Sequence, residues 1–354
     1  MKKYLFIIAA LTVSITACTN KKMDAGIKLE NLDKSARPGD NFYQFANGGW
    51  MENNPITAEY SRFGSFDKLA EDTREQLKEL IDSIATADNE YGTNAQKIAD
   101  LYNMVLDTAK RNAEGIEPLK PLIARIEAID SRSEIFKEMT AMDFYGVGGL
   151  FGIGIGADMM DSKMNIVSIG QGGLSLGEKE YYLDEDEATV KIREAFKKHV
   201  VRMFTLFGYS EAEAQKKMES VMRIETRIAE KSYNNVQLRD PAANYHKMTY
   251  AELKKEFKGI DWDMLFTTLG MEGVEEVDMN QPEPLHEVEA ILADASVEDL
   301  KNLMLWQLID ANASSLTTEI DEANFDFYGR VISVQQGQKP LWKPATSTVS
   351  GWMG

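Results

Sequence analysis

Cysteine is almost absent: Cys18 is the only one in 354 residues, so no disulfide can form within the chain and any folded body must be held by its core. Histidine is nearly as scarce. His199, His246 and His286 make up the whole supply, and none has a second histidine four residues away, the spacing by which an H-E-x-x-H helix turns two imidazoles toward zinc. His286 and Glu287 begin that pattern, but Ala290 stands where the second ligand belongs. Basic residues are outnumbered by acidic ones, 39 against 57, and the formal charge of −18 excludes a nucleic-acid surface, whose phosphates demand cations. It also argues against tight adhesion to anionic lipid and suits an exported protein kept soluble by its surface. After the first residues, no apolar run approaches the roughly 20 residues needed to span a bilayer.

What is present begins with Lys2 and Lys3, followed by an apolar run over residues 4–13 that is short for a membrane span and gives way to small residues. An export signal is predicted over residues 1–17. Ile15, Thr16, Ala17 and Cys18 read as a lipobox, with Cys18 the expected lipidation site and mature N-terminus; an ordinary cleaved signal with a chance cysteine is the plainer alternative. Residues 18–36 are polar and charged with little apolar periodicity, as in a tether between a membrane and a folded body. The expected location is the bacterial cell envelope, membrane-anchored through lipid and facing the periplasm or the cell surface.

The dominant signal further on is helical. Phe66, Leu69, Thr73, Leu77, Leu80, Ile81 and Ile84 fall at three- and four-residue steps, as do Ile98, Leu101, Tyr102 and Val105. Ile192, Phe196, Val200, Met203 and Phe207 repeat the pattern, with Gly208 as a stop. Ser210 and Glu213 then form an S-x-x-E capping box opening a helix through Ala214, Met218, Val221 and Ile228. Each stripe is expected to face a core, and Pro241, Pro282 and Pro284 are expected to punctuate the later connections. The predicted fold class is mainly α, a multi-helix body with one small β-hairpin, since residues 150–156 alternate apolar residues with glycine and residues 166–169 form a second β-prone run.

Two catalytic-looking motifs lie in that β-prone region. Gly152, Gly154 and Ala157 satisfy G-x-G-x-x-A, but a dinucleotide site needs a helix opening immediately afterwards, and Asp158 and Asp161 stand near where a phosphate would sit. Gly173, Ser175 and Gly177 match the G-x-S-x-G nucleophile elbow, and a serine hydrolase acting through Ser175 is one open reading. The elbow must run into a helix within an alternating α/β fold, and the acidic stretch over residues 178–187 does not promise one. His199, His246 or His286 could supply a downstream base for Ser175, but His199 reads more simply as a packing residue with a satisfied nitrogen, and His286 as a helix histidine near a glutamate, exposed or packed at the helix edge.

The segment R-P-G-D-N-F-Y-Q-F-A-N-G-G-W at 37–50, then Pro55-Ile56 and S-R-F-G-S-F-D at 61–67, resembles the opening of the M13 peptidases, the family of neprilysin and endothelin-converting enzyme. So do G-Q-G-G-L-S-L-G-E-K-E-Y-Y-L at 170–183, residues 234–246 with Arg239-Asp240-Pro241, Q-P-E-P at 281–284, and residues 321–330. The resemblance implies the N-terminal helical domain of a zinc metalloendopeptidase, spanning residues 37–321, with residues 322–354 starting the connection to a catalytic domain. The family's zinc, held by H-E-x-x-H and a later glutamate, would lie beyond Gly354, so neither catalytic nor metal-ligating residues are expected in this chain. A fragment, a truncated gene product or a frameshift would account for that, and the chain alone is expected to be inactive. By the same resemblance Arg62 faces the C-terminal end of bound oligopeptides, its planar guanidinium matching a carboxylate, and Asp67 fixes that arginine or its surroundings. Trp50 and the Gly48-Gly49 pair read as packing and backbone geometry. The alternative function is a lipid-anchored peptide-binding protein without catalysis.

Overall fold

The spacing of apolar residues produces helices over most of the chain; the computed structural model describes Gly26 and residues 28–353. The export signal, the lipobox and Cys18 lie outside the described residues. Two compact units emerge: the described residues up to Thr57 together with 62–68, and a larger one made of 58–61 and everything from Leu69 onward.

In the smaller unit, helix α1 (Phe42–Asn53) starts where the Asn41 side chain accepts the Gln44 N–H at 3.0 Å, filling one of the orphan donors of a helix N-terminus. Its Gly48-Gly49 pair lies inside the helix, and the reason is contact rather than a turn. A Cβ on Gly49 would stand 2.3 Å from the Glu30 carbonyl oxygen, and one on Gly48 would stand 2.4 Å from Asp33 Cβ. The helix thus lies directly on the chain at residues 30–33, which Gln44 grips through a 2.9 Å hydrogen bond to Asp33. Trp50 stacks on Phe63 with ring centroids 6.2 Å apart.

Helix α2 (Ser65–Ala85) follows the predicted stripe in sequence but not in burial, because Phe66, Leu69 and Leu80 are exposed and only Ile81 is fully enclosed. Periodicity reports which face is apolar, not what covers it. In the larger unit, Ile81 joins Tyr102 of α3 (Asn94–Leu106) and Ala345 and Val349 of a helix near the end of the chain in a small satellite core.

The main core is built by the remaining stripes as expected. β1 (Phe151–Ala157) and β2 (Asn165–Gln171) form the antiparallel hairpin, with Gly152 and Gly154 in the strand and no helix after Ala157, which removes the dinucleotide reading. The sheet is larger than the hairpin. β3 (Lys247–Thr249) and β4 (Glu276–Met279) complete a four-stranded sheet in the order β1-β2-β4-β3, with β2 and β4 parallel. Strands this short leave little alternation to read in sequence. Helix α4 (Glu187–Leu206) buries Phe196, Val200 and Met203 and ends before Gly208, whose φ of 93° closes the turn. Helix α5 (Glu211–Lys231) opens with the Ser210–Glu213 capping box and packs on α4, on α6 (Pro282–Asp294) and on α7 (Val297–Asn312). Pro282 and Pro284 do not punctuate a connection but lie in the first turn of α6, where the missing N–H costs nothing. Each fully buried Leu, Ile or Phe in this core contributes about 1.5–3 kcal/mol, and Trp262 and Trp306 are the largest side chains fully buried with them. The chain ends its described part in α8 (Trp342–Met353). No described helix is long and apolar enough to cross a membrane.

The close approach at Gly49 makes a direct prediction: Gly49→Ala pushes α1 off residues 30–33 and costs about 1–3 kcal/mol locally. Amide exchange across residues 29–53 will quicken in the variant while the main core keeps its protection.

Candidate functional site

Arg62 is exposed, and among the described residues no hydrogen bond or ion pair occupies its guanidinium. Asp67 sits in the first turn of α2 and its Oδ2 accepts the Gly64 N–H at 2.8 Å. This is the reach-back half of a capping box: the third helical residue satisfies the amide of the residue that precedes the helix. The aspartate therefore fixes the turn over residues 64–67 that follows Arg62, and a carboxylate there also suits the positive end of the helix. No direct contact joins Arg62 to Asp67 among the described residues. What the arrangement offers is a free planar cation beside a stiffened turn, suited to a carboxylate acceptor.

In the larger unit the segment over residues 58–61 is held by a buried ionic cluster. Lys343, almost fully enclosed on α8, places Nζ 2.5 Å from Glu59 Oε1 and also pairs with Glu71. Tyr60 and Arg74 both hydrogen-bond to the same Glu71. Burial alone would pull the ammonium down, but its hydrogen bonds to Glu59 and Glu71 outweigh that and hold Lys343 above its ordinary value. The Ala58 carbonyl accepts the amides of Gln336 and Gly337 at 2.8 Å each, and Gln335 reaches the Glu59 carbonyl at 3.0 Å. The signal for this cluster was not in the local sequence, because Lys343 lies 284 positions from Glu59 and each of the three reads as an ordinary surface charge.

Ser175 has a different role from the elbow motif. Its hydroxyl donates to Glu225 Oε1 at 2.7 Å and accepts the Trp306 indole N–H at 2.7 Å. Tyr182 donates to the other Glu225 oxygen at 2.6 Å and accepts the Leu176 N–H at 3.0 Å. None of the three histidines hydrogen-bonds to Ser175, and no strand-to-helix elbow carries it. It is a connector in a buried polar network, so the serine-hydrolase reading has no base to act through. Burial raises Glu225 to about 7 despite the two hydroxyl donors, and neighbouring Asp310 adds to the effect. Asp310 is itself pushed up to about 6 by burial. Glu225 was missed in the sequence although it carried a signal: it stands four residues after Val221 in an apolar stripe, where a carboxyl needs partners.

The histidines are dispersed. His199 is buried, stacked on Phe327 at 4.9 Å with an unpartnered Nε2, and burial pushes it down to about 4. His246 Nδ1 lies 2.9 Å from the Met279 carbonyl. His286 lies 3.2 Å from Glu289 and stacks on Phe257. Among the described residues no group of three or more His, Cys, Asp or Glu side chains could hold a metal ion.

The model of peptidase family M13 matches residues 38–354, and the chain belongs to that family. It is 26% identical over 348 residues to mouse endothelin-converting enzyme 1, an alignment covering 92% of this chain and 43% of that protein. Against neprilysin of Pongo abelii the identity is 25% over 358 residues, covering 92% and 47%. Among solved structures, the zinc metalloprotease of Mycobacterium tuberculosis in complex with an inhibitor superposes with a TM-score of 0.87 at 32% identity, covering 93% of this chain and 50% of that one. The same protease in its open state gives 0.79 at 31% identity, covering 90% and 50%. The chain therefore spans about half the length of the relatives it matches.

The raised acid sets a pH dependence. A carboxyl whose folded pKa lies above its unfolded value gives stability that is complete below the unfolded value of 4.5 and is lost as pH rises to the folded value of about 7. The loss is on the order of 3 kcal/mol for Glu225. Thermal melts of the wild type will fall between pH 5 and pH 8, and Glu225→Gln, which cannot ionise, will flatten that slope.

Proposed function

We propose that this chain is the N-terminal, non-zinc part of an exported M13 metalloendopeptidase, which binds oligopeptides and presents them for hydrolysis in the complete enzyme. The observation that carries this reading is the family match over residues 38–354, together with the share of the longer relatives that it covers. The M. tuberculosis relative is a zinc metalloprotease, and zinc in such an enzyme polarises the scissile carbonyl and activates water. That chemistry is assigned here to a domain following residues 322–354, and no residue of this chain takes a step in it. The chain by itself is inactive.

Within this reading Arg62 receives the C-terminal carboxylate of the peptide through paired N–H donors, and Asp67 keeps the adjoining turn stiff so that the guanidinium is presented at low entropic cost. Export and lipidation at Cys18, with residues 18–36 as a tether, would hold the enzyme at the bacterial cell envelope, facing the periplasm or outer surface. The support is the lipobox sequence and the location of the family resemblance downstream of it.

Two measurements test the proposal. Calorimetric titration of the purified chain with a free-acid peptide and its C-terminal amide will show a preference for the acid, and Arg62→Ala will weaken the acid about tenfold to a hundredfold while barely changing the amide. Arg62→Lys will recover part of the preference, since a point charge cannot reproduce a fork. Equal losses for acid and amide would remove the assigned role. Separately, the chain incubated with zinc and a quenched fluorogenic peptide will show no turnover; chelator-sensitive cleavage would overturn its inactivity in isolation.

A further inference from the structure

The β1–β2 hairpin carries a backbone edge that no described element pairs. β1 is first in the order β1-β2-β4-β3, so β2 flanks it on one side only. The turn settles which groups face outward. Asp158 N–H donates to the Met164 carbonyl at 2.8 Å, and the register steps from Ala157 opposite Asn165 to Phe151 opposite Gln171 without a bulge. Residues 158 and 164 are thus a hydrogen-bonded pair. Such pairs alternate along an antiparallel ladder, so Gly156, Gly154 and Gly152 aim their amides at β2. Phe151, Ile153, Ile155 and Ala157 consequently present N–H and C=O groups to the open side.

Edge strands are ordinarily blunted by lysine, proline, inward charges or bulges, and β1 has none of these. Its exposed large side chains are apolar as well. Ile155 is 61% exposed, and around the hairpin tip Met159, Met160 and Met164 are 55%, 75% and 59% exposed. Four large apolar side chains open to water on one hairpin form a patch of the sort that marks an interaction site, and methionine adapts its shape to varied partners.

We propose that this edge docks an extended peptide, which adds a strand beside β1 and rests apolar side chains on Ile155 and the tip methionines. Backbone pairing selects an extended conformation of whatever sequence, and the neighbouring side chains select apolar residues at alternate positions. A second copy of the chain is disfavoured as occupant because each copy carries −18, whereas a neutral or basic peptide is drawn to that charge. The seven residues of β1 match a segment of about seven residues. The proposal rests on the reading of this protein as a peptide binder but concerns a different contact, since strand pairing is indifferent to the peptide's C-terminal carboxylate.

The test uses the whole chain and a nine-residue peptide of alternating valine and lysine, amidated at its C-terminus so that Arg62 has no carboxylate to bind. Binding is expected, with slowed hydrogen exchange at the amides of Phe151, Ile153, Ile155 and Ala157. Ile155→Pro deletes one outward N–H and leaves the β2 ladder intact, as edge prolines do, so it will weaken binding about tenfold without shifting the melting temperature. The same peptide N-methylated at alternate residues will not bind the wild type, a control that does not depend on the variant folding. Absent binding, binding without protection of those four amides, or equal affinity for the N-methylated peptide would overturn the proposal. So would protection of the same amides in peptide-free protein that sediments as a dimer, which would make a second copy the occupant. An Arg62-dependent preference for free acids that survives any of these results leaves the earlier reading standing.

Discussion

The buried carboxyl of Glu225 joins the loop after β2 to the helical core of the larger unit. Ser175 and Tyr182 each donate to one of its oxygens, and Trp306 donates in turn to Ser175, so the loop, α5 and α7 are tied through a single fully enclosed group. In a region of low dielectric such a group is costly unless it is hydrogen-bonded, and each oxygen here accepts one hydroxyl, which offsets part of the burial cost. Among the described residues no arginine or lysine pairs with it, and burial raises its pKa. Loop position, helix packing and protonation state are consequently coupled through this one carboxyl.

Hydrogen-bonding geometry also separates catalysis from architecture in this protein. The G-x-S-x-G motif is real as a string, but its serine is engaged on both sides by Glu225 and Trp306. The G-x-G-x-x-A string likewise lies inside a strand whose glycines are part of a hairpin ladder. Motifs describe which residue types a chemistry requires; they acquire that chemistry only in the strand, turn and helix that aim the groups. Around Arg62 the opposite holds: nothing in its local sequence but family resemblance distinguishes it, and its setting is a capped turn that Asp67 stiffens from three residues into the helix.

The sheet and the helix faces separate local order from order that needs distant contacts. Hairpin, capping box and the stripes of α4 and α5 were legible because each is local: alternation, a serine three residues before a glutamate, and apolar residues at helical steps act within one turn or one strand. β3 and β4 were not, since strands of three and four residues carry too little pattern and owe their existence to pairing across the sheet. Glu59, Glu71 and Lys343 form one cluster only because α8 returns to the segment that precedes Arg62.

Composition and short-range spacing suffice to show that the body is mainly helical, acidic and free of disulfides, that one helix stops before Gly208 and the next opens at Ser210, and which family the motifs resemble. Tertiary structure decided what burial means for each of them. It left Phe66, Leu69 and Leu80 exposed on a well-formed amphipathic helix, enclosed Glu225 among hydroxyl donors, dispersed the three histidines among unrelated contacts and left one side of β1 unpaired. Those outcomes depend on contacts between residues tens to hundreds of positions apart, whose free energy no local pattern contains.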